Sequence, residues 1–186
     1  MSRIFFDIET YSPYDDGPRL DDKIISIAFK TEDSSITVLK EWEIGEKEVI
    51  SQFLQCVEGY LKPNLVGHNI LRFDIPVIVC RSFETGLGKP GEIFAVFRET
   101  YVIDLLQCLL PSNNLYFRGL GLQNCAEMLG MKVSGCPSSQ IKEHYEKGAY
   151  DEIVDHNKED VRITEKIYNH LIQCTFSPFR QGLENT

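Results

Sequence analysis

Three stretches of this chain place acids where the surrounding residues are building a core. In FDIET, Asp7 and Glu9 stand one residue apart behind an apolar run. In a strand, alternate side chains share a face, so Phe5, Asp7 and Glu9 point one way while Ile4, Phe6 and Ile8 point into the other layer. Two carboxylates held that close repel, and burying them is expensive unless a cation lies between them. In HNILRFDIP, Asn69, Phe73 and Asp74 follow a short apolar segment, and Asp74 precedes Pro76 as a helix N-cap would. In DHNKEDVRITEKIY, steps of three, four, seven and eleven from Asp160 reach Ile153, His156, Asn157, Thr164, Ile167 and Leu171, a stripe that should pack on a sheet. His156 stands one turn before Asp160 on the same side. Each stretch has a plain structural reading: a strand end rising into solvent, an ordinary cap, a buried Asp bonded to a neighbour. Together they offer four carboxylates and a histidine, the hard oxygen ligands Mg²⁺ or Mn²⁺ prefer beside a base that titrates near neutrality.

The elements that must position these residues follow from periodicity. Strands are expected at residues 3 to 9, 24 to 30 and 35 to 42, joined by short links as an antiparallel meander. KEVISQFLQCVEGYL predicts a helix over 47 to 61 with Val49, Ile50, Phe53, Leu54, Val57 and Leu61 on its apolar side, stopped by Pro63. NLVGH reads as a short strand, and a helix from an Asp74 cap should run to about Phe83 before the glycines of ETGLGKPGE. A strand ending near Asp104, a helix from Leu120 to Leu129 closed by Gly130, the turn-rich connector MKVSGCPSS, a polar helix bearing His144 and a long last helix from Tyr150 to Ile172 complete the order. This is an α/β layout, a mixed sheet flanked by helices, with no internal repeat.

At this point FDIET, NILRFD and HNKEDVRIT resemble the three exonuclease motifs of the DEDD (DnaQ-like) 3′ to 5′ exonuclease superfamily, in the right order and across nearly the whole chain. YVIDLLQ and RGLGLQNCAEMLG are also similar to segments that follow its second motif. The resemblance implies a ribonuclease H-like fold with a five-stranded mixed sheet. It also implies hydrolysis of phosphodiester bonds from single-stranded 3′ ends, DNA favoured over RNA, with two divalent ions, Mg²⁺ or Mn²⁺, held by Asp7, Glu9, Asp74 and Asp160. His156 would be the general base, at the four-residue spacing that the family's tyrosine branch uses; five before Asp160 is Asp155. His144 is the weaker candidate, and His68 is expected to be structural. Ile8, Thr10, Asn69, Phe73 and Arg118 would touch substrate, and Tyr11, Tyr14, Tyr116 and Phe117 are available for base stacking or for loop packing. The implied partners are DNA or RNA 3′ ends and a polymerase or repair protein. RNA trimming and non-catalytic nucleic-acid binding on the same fold are the alternatives.

Composition bounds these readings. A length of 186 residues with 42% apolar and 25% charged residues fits one globular domain, taken as residues 1–176 with a polar tail at 177–186. The net charge of −9 argues against a protein that coats a long nucleic acid, but not against one that grips a chain end through bound cations. The apolar runs fall short of a membrane span and no signal stretch opens the chain, so a cytoplasmic location without membrane attachment is expected. Cys56, Cys80, Cys108, Cys125, Cys136 and Cys174 lack metal spacing and read as reduced core residues.

Overall fold

The computed structural model describes residues 2–14, 17–32, 34–131 and 138–181. Five strands form one sheet in the order β3-β2-β1-β4-β5. β1 (Arg3–Tyr11), β2 (Lys23–Thr31) and β3 (Thr37–Lys40) make the antiparallel meander, and β4 (Asn64–Gly67) and β5 (Tyr101–Asp104) add in parallel on the other side of β1. The central position therefore belongs to the strand carrying Asp7 and Glu9. The five-stranded mixed sheet expected from the sequence is present.

Helices cover both faces. α1 (Glu41–Ile44), α2 (Glu46–Glu58), α3 (Asp74–Glu84) and α4 (Pro90–Arg98) follow in chain order, then α5 (Leu105–Leu109), α6 (Leu122–Met128), α7 (Ile141–Lys147) and α8 (Tyr150–Gln181). Ile4, Phe6 and Ile8 of β1 pack with α2, α3 and α4, the Phe6 and Phe53 rings lying 5.0 Å apart. Phe5 faces the opposite layer, where Val161, Ile163, Ile167 and Tyr168 of α8 meet Leu105, Leu120 and Ala126. Each fully buried large side chain contributes roughly 1.5–3 kcal/mol, so the two layers together fix β1 from both sides. Arg81 of α3 grips Glu46 of α2 through two 2.7 Å contacts, and Glu46 also accepts from the Ile24 N–H at 2.8 Å, which locks the helical layer to the sheet.

Several boundaries differ from expectation for local reasons. The third strand stops at Lys40 rather than 42, because Trp42 turns to stack on Tyr150 (4.3 Å, 8° between planes) and Glu41 bonds Lys23 and Tyr145. α2 ends at Glu58, leaving Leu61 92% exposed instead of on the buried stripe. α4 was hidden behind the glycine-rich break. It starts on Pro90, and the Glu92 carboxylate accepts from the Lys89 N–H at 2.8 Å. α8 continues beyond Ile172 to Gln181, into the stretch read as a tail, and residues 182–186 lie outside the described residues. Residues 132–137 of the connector, Cys136 among them, also lie outside them. Of the cysteines described, Cys125 is buried, Cys56 and Cys80 are half-buried and Cys108 is exposed, all free, so only the first is a core residue.

Candidate active site

β1 presents Asp7 and Glu9 on the α8 side, as the period of a strand requires. Glu9 is buried, and immediately after it the pairing with β2 shifts register between Glu9 and Thr10. Such an irregularity re-aims the side chains beside it and ends the regular ladder at the site. Opposite Asp7 and Glu9 in β2 stand Ala28 and Ser26, side chains small enough to leave room for the carboxylates.

Asp74 reaches the same place from α3. The helix is entered at Phe73, whose side chain makes no cap bond, so Asp74 is the first helical residue and not its cap. Its Oδ1 instead accepts from the Ile8 N–H at 3.3 Å, joining the start of α3 to β1. The approach is fixed from below by Asp104. Its Oδ1 accepts from the N–H groups of Asn69 (2.9 Å), Leu106 (3.0 Å) and Gln107 (3.4 Å), and its Oδ2 from that of Leu71 (3.0 Å). Asp104 thus caps α5 and shapes the turn before Asp74, in which Asn69 takes a left-handed φ of 65°.

α8 closes the site. His156 and Asn157 are buried, and Asp160 sits at the rim with 14% of its side chain exposed. Asn157 Nδ2 donates to Asp7 Oδ2 at 2.7 Å, and its Oδ1 accepts from Ser26 Oγ at 3.0 Å. His156 Nε2 lies 3.5 Å from Glu9 Oε1, 3.6 Å from Asp160 Oδ2 and 3.3 Å from Ser138 Oγ. Asp155, one residue earlier, is exposed.

Burial and mutual repulsion govern the charges. Burial, then the neighbouring Asp160, Glu9 and Asp74, hold Asp7 well above the usual carboxylate range against the opposing bond from Asn157. Glu9 is raised likewise by burial and by Asp160 and Asp74. Burial pushes Asp74 and Asp160 up to about 7 each, although the Ile8 N–H works against the rise at Asp74. Ligand atoms of Glu9, His156 and Asp160 all fall within 4.8 Å of one another.

A cavity of about 630 Å³ opens over this group. Asp7, Ile8, Glu9, Thr10, Phe73 and Asp160 line it, with Ser12, Tyr14, Ser138 and Lys142 among the residues around them. Of the residues expected to touch substrate, Ile8, Thr10 and Phe73 line this cavity, whereas Asn69 and Arg118 do not. Asn69 packs inward with Oδ1 buried and unbonded, and Arg118 is exposed. Tyr11, half-buried, packs against Tyr145 (4.9 Å) beside the small cluster of Ile25, Ile141 and Ile153. His68 Nε2 meets the Leu120 carbonyl at 2.7 Å and burial lowers its pKa, a structural role. His144 lies on α7, half-buried. Sequence reasoning gave no part to Asn157, Ser138 or Lys142. Asn157 had a signal, an amide beside His156 on the stripe that packs on the sheet; the other two had none.

A family model described as the RNase_H superfamily matches residues 4–172. The chain belongs to the RNase H superfamily. This RNase H superfamily chain is 23% identical over 184 residues to a DNA polymerase of Archaeoglobus fulgidus, across 92% of its own length and 23% of the polymerase. The family B DNA polymerase of the hyperthermophilic archaeon Pyrobaculum calidifontis has the same fold over 92% of this chain and 24% of the polymerase, with a TM-score of 0.72 at 21% identity. The chain therefore spans about a quarter of the length of either polymerase. Among the described residues, no helix of this superfamily member is long and apolar enough to cross a membrane.

The donor set fits divalent cations. Oxygen ligands from three separate elements converge with their charges set against one another, an arrangement that is unfavourable alone and favourable around a hard cation.

Proposed function

We infer that this chain is a 3′ to 5′ exonuclease of the DEDD (DnaQ-like) type, hydrolysing phosphodiester bonds at the 3′ end of single-stranded nucleic acid, with DNA favoured. The observation that carries this reading is the convergence of four carboxylates and a histidine beside one cavity: Asp7, Glu9 and Asp160 line it, His156 lies behind Glu9 and Asp160, and Asp74 is bonded to the Ile8 N–H. The resemblance to DNA polymerases supports the choice of DNA. Residues 1–176 are taken as one exonuclease domain, and a polymerase or repair protein as its partner.

Asp7, Glu9, Asp74 and Asp160 would hold two divalent ions, Mg²⁺ or Mn²⁺. The chemistry such ions supply when bound is neutralisation of the phosphate and stabilisation of the attacking and leaving oxygens. The chain's own residues do the rest. Asn157 fixes the Asp7 carboxylate, and the Ile8 N–H fixes that of Asp74, so the charges are oriented before substrate arrives. His156 Nε2, facing Glu9 and Asp160, takes the proton of the attacking water. Ile8, Thr10 and Phe73 form apolar and hydroxyl walls against which the terminal nucleotide is oriented.

The test is digestion of 5′-labelled single-stranded DNA and RNA of one sequence with Mg²⁺ or Mn²⁺, beside an Asp7→Ala control. A ladder shortening from the 3′ end, absent in the variant, is expected, and faster on DNA. Intact strands with either metal, for a folded protein that binds Mn²⁺, would replace this reading with non-catalytic binding.

A further inference from the structure

The loop between α5 and α6 keeps two aromatic rings in solvent. Tyr116 is 70% exposed and Phe117 44%. The loop is held in that shape: Asn114 and Leu115 take left-handed φ values of 51° and 63°, and Asn113 Nδ2 donates to the carbonyls of both Tyr116 and Arg118. A leucine in that region is strained, so the surrounding contacts hold the loop conformation against a backbone steric cost.

The loop is also fastened to the turn that delivers Asp74. The Arg72 guanidinium lies over the Phe117 ring, 4.3 Å from its centroid, and His68 Nε2 meets the Leu120 carbonyl at 2.7 Å. Arg72, next in sequence to the cavity-wall residue Phe73, carries the Phe117 ring, and exposed Tyr116 and Arg118 flank Phe117 in the loop. Two arginines and two exposed rings, one face of Phe117 already carrying Arg72, belong to this short stretch of a chain of net charge −9. A ligand bearing flat π-faces and regularly spaced negative charges matches this, since bases stack on aromatic faces and phosphates seek Arg.

We propose that Tyr116, Phe117, Arg72 and Arg118 form a stacking platform for the nucleotides that precede the 3′-terminal one, so that the protein grips single strands longer than its cavity holds. The platform rests on the exonuclease reading for the placement of the 3′ end. It makes affinity depend on strand length: a trimer fills the cavity, and a decamer also lies on the platform.

Binding of 5′-fluorescein oligothymidylate, trimer and decamer, is measured by anisotropy in EDTA, and cleavage of the same strands with Mg²⁺ or Mn²⁺. Wild type should bind the decamer more tightly. Tyr116→Ala and Phe117→Ala should each weaken decamer binding by about tenfold and leave the trimer unchanged, while Tyr116→Phe, which keeps the ring face, restores it. Arg118→Ala should reduce the salt slope for the decamer by about 0.7. Tyr116 is exposed enough that its removal leaves the fold intact. Unchanged decamer binding in both alanine variants, or equal weakening of both strands, overturns the platform. So does oligomerisation of the wild type that Tyr116→Ala abolishes without touching decamer affinity, because the rings then cover a protein contact. If no strand is cleaved but the length-dependent binding and its loss hold, the exonuclease reading falls and the platform stands. If both strands are cleaved with no length dependence in binding, the reverse is true.

Discussion

Asn157 Nδ2 donates to Asp7 Oδ2 at 2.7 Å, joining the last helix to the first strand across 150 positions of sequence. Asn157 has no exposed surface, and its other amide atom is engaged by Ser26. Asn157→Ala should therefore leave the buried Ser26 Oγ and the half-buried Asp7 Oδ2 without this partner and destabilise the protein by about 1–3 kcal/mol. Asn157→Asp should do worse, because it sets a further carboxylate against Asp7. Denaturant titrations in EDTA would check both, and a variant as stable as wild type would refute the bridging role.

The four raised carboxylates make a prediction about pH. Burial pushes Asp74 and Asp160 up to about 7 in the folded protein, against about 4 for a free Asp, so the folded state should bind more protons between these values. Their contribution is fully present below about pH 4 and is lost as pH rises through 7. Metal-free protein should melt several degrees lower at pH 8 than at pH 5.5. Mn²⁺ should raise the melting temperature more at pH 8, where its ligands are deprotonated. A metal-free melting temperature that rises over this interval would contradict the electrostatic account.

His156 and Asp155 separate two spacings by experiment. His156→Ala should lower kcat by about 10²–10⁴ while Mn²⁺ affinity, which the proposal assigns to the carboxylates, changes only a few fold. Asp155→Ala should be silent, because that side chain is exposed. Steady-state kinetics paired with Mn²⁺ titration would check this; a loss of Mn²⁺ binding matching the loss of turnover would make His156 a ligand instead.

Asp104 receives four backbone N–H groups and is not among the residues that line the cavity. Asp104→Ala should cost at least about 2 kcal/mol, from the lost cap of α5 and the freed donors of the turn. It should also lower kcat by releasing the turn ahead of Asp74. Unfolding and kinetics on one preparation would show the two effects together, and a full kcat in the destabilised variant would confine Asp104 to stability.

The parts of the site set by local periodicity were legible in the sequence. Alternation along β1 placed Asp7 and Glu9 opposite Ile4, Phe6 and Ile8, and the helical stripe of α8 placed His156 and Asn157 inward, because both faces are decided by one element meeting one layer. Asp74 was different. A cap and a first helical residue differ by one position, and the Ile8 N–H that claims its carboxylate lies 66 residues away, beyond any local pattern. Leu61 had the right spacing for burial, yet α2 ended before reaching it. The exposed rings of Tyr116 and Phe117 depend on a strained turn and on Arg72, which no spacing rule connects to them.

The convergence of β1, α3 and α8 has a temporal side. Asp7 and Glu9 are made early, but the residues that orient and complete their group arrive with α8, and such distant contacts form only after the intervening chain has been ordered. Until α8 docks on β1, Asp7 and Glu9 lack Asn157, His156 and Asp160 beside them. Under the proposed reading, the catalytic group is therefore assembled by a contact that spans most of the sequence and waits for that contact to form.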